Sequence, residues 1–99
     1  MLRVVKRLSP LTAVATIEQA FLPWQCMVEV FKSKQRVRFR VLGQDGEPIF
    51  VFPGAALMEH IRIPSSLQLL INEARFAVEQ GGFELRPWEM PPVKYREPQ

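Results

Sequence analysis

The chain has 99 residues, of which 47% are hydrophobic and 23% are charged, and its formal net charge is +3. This composition is that of one globular domain and excludes a disordered chain. So small a net charge predicts solubility and does not by itself indicate a polyanionic partner. Cys26 is the only cysteine, which excludes an internal disulfide and favours a cytoplasmic location. No stretch approaches the roughly 20 consecutive apolar residues of a membrane helix, so we expect no membrane association.

Three segments are predicted: a basic lead-in over residues 1–8, a single α+β domain over 9–82 and a Pro-rich tail over 83–99. The apolar side chains expected to hold the start of the tail against the domain are Phe83, Leu85 and Trp88.

The first helix is predicted to begin at Pro10 and to end at Leu22. Ser9 is a favoured capping residue, and proline is tolerated at the first helical position because its missing N–H has no partner there. Pro23 disfavours the helical conformation in the residue before it. Spacings of three and four predict an apolar stripe, with Thr12, Thr16 and Gln19 outside it. The stripe consists of Leu11, Val14, Ile17 and Phe21.

Three strands are predicted over residues 25–32, 36–42 and 48–52, joined by short turns into an antiparallel meander. The turn after the second strand contains Asp45-Gly46, which tolerates positive φ angles. Side chains alternate between the two faces of a strand. The predicted inward set is Cys26, Val28, Val30, Val37, Phe39 and Val41. In the third strand, either the pair Ile49/Val51 or the pair Phe50/Phe52 points outward.

A second helix is predicted to open at Pro64-Ser65-Ser66 and to end before Gly81-Gly82. Its apolar stripe is Leu67, Leu70, Ile71, Ala74 and Val78, and its polar side is Gln68, Asn72, Arg75 and Glu79. Residues 55–63 leave two alternatives, a helical turn around Leu57-Met58 or a short extended piece at 61–63. The predicted fold class is therefore α+β, in the order α-β-β-β-α, with both helices on one face of the meander.

The most unusual feature is a basic run of five residues without an acid, Lys32, Lys34, Arg36, Arg38 and Arg40. Strand periodicity places the three arginines in a row on the face away from the helices, together with Phe31 and Met27. The predicted binding face is Phe31, Arg36, Arg38 and Arg40. A sheet face that mixes arginine with aromatic rings is typical of proteins that bind single-stranded nucleic acid.

Other interpretations of this face carry more weight. An arginine that lies over Phe31 and pairs with Glu29 makes a stable solvated face. The tail around Trp88 or a second copy of the chain would also cover it. We therefore predict a small non-catalytic protein-interaction or regulatory module, with a protein partner or a homodimer. Single-stranded nucleic-acid binding is the alternative.

Nothing in the sequence predicts catalysis. His60 beside Glu59 is the only histidine, and no second ligand stands at a recognisable metal-binding spacing. Cys26 occupies an inward strand position, where a buried hydrophobic role is expected. We therefore expect no enzyme activity, no cofactor, no metal and no small-molecule substrate.

Residues 17–26 carry Phe21-Leu22-Pro23 and Cys26 in the pattern F-L-P-x-x-C. This segment resembles a family of short bacterial proteins catalogued as a domain of unknown function, and residues 70–75 resemble its later helix. The resemblance spans residues 12–78 and implies a helix, antiparallel strands, a further helix and a non-secreted setting. It implies no activity and no functional residues.

The α-β-β-β-α order is also similar to that of the double-stranded-RNA-binding domain. The resemblance implies phosphate-gripping lysines at the start of the second helix. Pro64-Ser65-Ser66 stands at that position instead.

Overall fold

A computed structural model describes residues 7–91. Most of the predicted lead-in and the end of the predicted tail lie outside the described residues. The elements in chain order are α1 (Pro10–Gln19), β1 (Gln25–Phe31), β2 (Arg36–Leu42), β3 (Pro48–Val51), β4 (Ala56–Leu57), α2 (Met58–Ile61) and α3 (Pro64–Gln80).

Strand β2 lies at the centre of the sheet. It pairs antiparallel with β1 on one side and with β3 and then β4 on the other. The predicted α+β fold, with an antiparallel meander and both long helices on one face, is confirmed. Strand β4 was not predicted, because its two residues are too few to show alternation and are recognisable only through their pairing with Arg36 and Val37.

The core lies between the inner face of the sheet and the helices. Phe39 is at its centre, and its ring lies 5.5 Å from that of Phe21, 6.0 Å from Phe50 and 5.0 Å from Phe52. Helix α3 contributes the predicted stripe, fully buried except at Leu70, which is half-buried. Phe39 therefore packs both against the turn that follows α1 and against its neighbours in the sheet, and burial of these rings stabilises the core.

The first helix ends three residues before the predicted Leu22. Its last residue is Gln19, and the Ala20 N–H caps it by donating to the Ile17 carbonyl. A turn follows in which the Trp24 N–H donates to the Phe21 carbonyl at 2.9 Å, and the Leu22–Pro23 peptide bond is cis. The predicted cap is confirmed, since the Ser9 hydroxyl accepts the Thr12 N–H.

The predicted stripe of α1 was also wrong in part. Leu11 is 84% exposed, whereas Thr16 is buried between the two fully buried residues Ala13 and Ala20. The Thr16 hydroxyl donates to the Thr12 carbonyl at 2.7 Å, so its burial leaves no unpaired polar group. Several of the buried positions of α1 are therefore small residues, which a search for large apolar side chains overlooks.

In residues 55–63 the helical alternative is correct, as α2, and the extended alternative at 61–63 is wrong. Arg75 was wrongly predicted on the polar side of α3. It is half-buried and donates to the main-chain carbonyls of Ala20 and Arg86. A guanidinium group can reach main-chain acceptors in another segment, which helical periodicity does not reveal.

Residues 83–91 pack against the core and against the turn between α1 and β1. The Arg86 N–H donates to the Leu22 carbonyl at 2.8 Å, and the Trp24 indole N–H donates to the Glu84 carbonyl at 2.8 Å. The Trp24 ring also meets Phe83 edge-on at 5.4 Å between centroids. Each of these contacts is made with the turn between α1 and β1.

Candidate functional site on the outer face of the sheet

The side of the sheet away from the helices is called the outer face here. Its members are Met27, Glu29, Phe31, Arg36, Arg38, Arg40 and Val51. The strand register sets Met27 opposite Arg40, Glu29 opposite Arg38 and Phe31 opposite Arg36. The four residues of the predicted binding face therefore do share one side of the sheet.

The third strand contributes one side chain to this face. Val51 pairs with Arg40 and is 62% exposed, whereas Phe50 pairs with the inward Val41. Ile49 is the extra residue of a bulge beside Leu42 and packs against the core. Neither predicted pair therefore points outward as a whole, because the bulge shifts the alternation by one residue.

Arg38 is engaged within the molecule. Its Nε donates to Glu29 Oε2 at 2.8 Å, and its guanidinium carbon lies 4.9 Å from the centroid of the Phe31 ring. The same side chain thus satisfies a carboxylate and covers an aromatic face. These are the contacts expected if the outer face is a stable surface exposed to solvent.

The hydrogen bond from Arg38 lowers the pKa of Glu29 below its ordinary value, with a smaller contribution from the charge of Arg40. Glu29 therefore carries its negative charge throughout the neutral range. Both partners of the pair are more than half exposed, so the pair neutralises local charge and contributes little to stability.

Arg40 has a different environment. The register places it between Met27 on β1 and Val51 on β3, and Met27 is 44% exposed. No carboxylate lies within 4.0 Å of Arg40 in residues 7–91. Met27, Arg40 and Val51 help to line a shallow cavity of about 470 Å³, into which the Glu29–Arg38 pair also opens.

Arg36 lies between Phe31 and Leu57 in the register and is half-buried. It borders a wide, open cavity of about 650 Å³ between β4 and the start of α3, near His60 and Ser66. Sequence reasoning missed Leu57 as a neighbour of the arginines, because β4 has no recognisable pattern.

The turn between β1 and β2 adds positive charge beside this face. Lys32, Ser33 and Lys34 all have left-handed φ angles, of 51°, 54° and 66°, and all three are exposed. Glu29 is the one acid among the outer-face residues, so the turn and the outer face together are positively charged.

Residues 83–91 do not cover the outer face. None of them lines the cavity around Arg40. The contacts of Glu84 and Arg86 described above are with the turn between α1 and β1, and the apolar side chains of this segment pack against the core. The face is therefore open to solvent as far as the described residues show.

The two reactive side chains named from the sequence lie elsewhere. Burial, with a smaller effect from Glu18, raises the pKa of Cys26 to about 12, which makes its thiol inert at neutral pH. The His60 imidazole is exposed, with Nε2 4.0 Å from Glu59 Oε1. The described residues contain no cluster of three side chains suited to a metal ion. Within them, no helix has both the length and the apolar character needed to cross a bilayer.

Comparison with known proteins found no matching family model, no similar curated protein and no similar solved structure. The resemblance to the family of short bacterial proteins therefore stays a prediction, and the functional argument depends on the geometry of the outer face.

Proposed function

We propose that the chain is a non-catalytic protein-interaction module whose outer face binds an acidic, apolar segment of a partner protein. The observation that carries the proposal is the environment of Arg40. Its guanidinium has no acidic partner in residues 7–91 and lies in register between the exposed apolar side chains of Met27 and Val51.

This arrangement matches a carboxylate flanked by apolar side chains. A guanidinium group binds a carboxylate through two parallel hydrogen bonds. Apolar side chains on either side of it remove that ion pair from water and add the free energy of their own burial. Arg38 is already paired with Glu29 and Arg36 is half-buried, so Arg40 is the arginine best placed to select the incoming charge.

The spacing of the two apolar side chains favours a helix laid across the strands. Met27 and Val51 are separated by two strand spacings, about 10 Å. Residues seven positions apart on a helix are separated by about 10.5 Å along its axis. A partner helix with apolar residues at positions 1 and 8 and an acid between them would therefore meet Met27, Arg40 and Val51 together.

Single-stranded nucleic-acid binding is the second candidate, supported by the exposed cations Lys32, Lys34 and Arg40. Base stacking needs a free aromatic ring. Phe31 is half-buried beneath Arg38, and the third strand adds an aliphatic side chain instead of a ring. The outer face therefore suits an acidic peptide better than a chain of bases.

The two candidates are separated by titrating the protein against two labelled probes and measuring fluorescence anisotropy. One probe is a helical peptide with leucines seven positions apart and glutamates between them, and the other is oligothymidine. We expect the peptide to bind, and Arg40→Gln to weaken that binding about tenfold or more, because a charge-assisted contact is lost. Val51→Ser should weaken it less, by removing one apolar contact.

Phe76→Ser is the matched control, since Phe76 is 65% exposed on α3 and lies away from the outer face. It should leave peptide affinity unchanged. Absence of peptide binding, or equal binding by Arg40→Gln, contradicts the proposal. Oligothymidine binding that falls steeply with salt, and is lost in an Arg36/Arg38/Arg40→Ala triple variant, would instead support the nucleic-acid candidate.

A further inference from the structure

Strand β1 is an edge strand with one neighbour, β2, among residues 7–91. The Phe52 N–H donates to the Phe39 carbonyl at 3.0 Å, so the main-chain groups of Phe39 point toward β3. Hydrogen bonding alternates along a strand. The groups of Arg38 and Arg40 therefore point toward β1, where they meet Glu29 and Met27.

The remaining main-chain groups of β1 point away from the sheet. They belong to Cys26, Val28 and Val30, and no main-chain partner is found for them among the described residues. The Val30 side chain is 38% exposed at the same edge. Unpaired N–H and C=O groups in a row form a template for another strand.

The opposite edge of the sheet, formed by β3 and β4, is interrupted along its length. Strand β3 begins with Pro48 and contains a bulge, and Pro53-Gly54 separates it from the two-residue β4. These are the usual devices that prevent a sheet edge from pairing with another chain. Strand β1 has seven residues without a proline, glycine, lysine or bulge, so it is left competent to pair.

We infer that β1 pairs antiparallel with β1 of a second copy, centred on Val28, so that one sheet runs through both molecules. Only a centre at Val28 pairs all seven residues and joins the outward-pointing groups of Cys26 to those of Val30. A centre at Met27 or Glu29 overlaps five residues, and the latter sets two Glu29 carboxylates directly opposite each other, which is unfavourable.

The sequence of β1 is complementary to itself, which favours a second copy of the chain as the partner at this edge. In the inferred register Val28 meets its own equivalent, Cys26 meets Val30, and Met27 meets Glu29, so no like charges are opposed. The surface concerned is the edge of the sheet, so this inference goes beyond the proposed binding of an acidic segment to the outer face.

The first test is sedimentation of the full chain over a range of concentrations. We expect a dimer that dissociates on dilution, and a monomer at every concentration for Val30→Pro. Proline at position 30 removes an N–H that makes no bond within residues 7–91, so the fold should survive, as checked by circular dichroism. Val30→Thr is the matched control and should still dimerise. Folded Val30→Pro should also retain binding of the acidic peptide, which separates failure of one proposal from failure of the other.

The second test is disulfide cross-linking in a Cys26→Ala background. It does not depend on whether the Val30→Pro variant folds. Met27 and Glu29 would face each other without a hydrogen bond between them, at about 4.5 Å between Cα atoms, a distance that suits a disulfide. A mixture of Met27→Cys and Glu29→Cys chains should cross-link on oxidation, and neither variant should cross-link alone. A strict monomer, a dimer that persists in folded Val30→Pro, or cross-linking of either variant alone overturns the inference.

Discussion

The two faces of β2 are built from alternate residues of one strand, but their side chains depend on the surrounding strands to different degrees. On the inner face Val37, Phe39 and Val41 are all nearly fully buried, and any apolar side chain of the right size would be buried there. On the outer face the three arginines have three different environments. The apolar character of a side chain is therefore enough to explain its burial on the inner face, whereas the neighbouring strands determine which contacts each outer residue makes.

The largest effect in this comparison is expected on the inner face. Phe39→Ala should lower the free energy of unfolding by about 3–5 kcal/mol, because it leaves a cavity among three aromatic rings. Chemical denaturation monitored by tryptophan fluorescence measures this loss. Phe39→Leu is the control and should cost clearly less. A loss below about 1 kcal/mol would contradict the central place of Phe39 in the core.

A smaller effect on stability is expected from a comparison of two arginines, one on α3 and one on the outer face of the sheet. Arg75→Met should cost about 2 kcal/mol, because it removes charged hydrogen bonds and leaves the carbonyl of the fully buried Ala20 without this partner. Arg38→Met, its counterpart on the outer face, should change stability very little. The same denaturation experiment measures both, and equal effects would remove the distinction between the two arginines.

The smallest effect concerns charge alone. Arg38→Met should raise the pKa of Glu29 toward its ordinary value, because it removes the hydrogen bond that is the main cause of the lowered pKa. A carboxylate with a lowered pKa stabilises the fold above its unfolded-state pKa, and this contribution disappears as the pH falls through its folded-state pKa. Titration of the Glu29 carboxyl carbon by NMR measures the change.

Arg40→Met is the control for that titration. It should raise the pKa of Glu29 less than Arg38→Met does, since Arg40 acts on Glu29 through its charge without a hydrogen bond. An equal or larger rise would show that Arg40 is also engaged with Glu29 and is not available to a partner.

Strand periodicity was a sound guide to the inner face and to the location of the arginines. It placed Val37, Phe39 and Val41 under the helices because alternation depends only on the local backbone. It overestimated burial at the edge, where Val30 is partly exposed, because a strand with one neighbour leaves part of its side chains uncovered. Helical spacing misassigned Leu11 and Thr16 in α1, since spacing alone does not tell which side of a helix meets the sheet.

The candidate site was predictable in part. The row of Arg36, Arg38 and Arg40 follows from the sequence, and so does the possibility of a Glu29 pair. The separate environment of Arg40 does not, because it depends on Val51 lying beside it, and that position follows from a bulge in a different strand. Bulges change register without a distinctive local pattern in these residues.

The sequence by itself determined the fold class, the two layers and the alternation of the central strand, because these follow from local backbone periodicity and from burial of apolar side chains. The tertiary structure alone decided which arginine is paired, which aromatic ring is covered and which edge of the sheet is left open. Those properties depend on contacts between segments far apart in the chain, and no periodicity within a single segment records them.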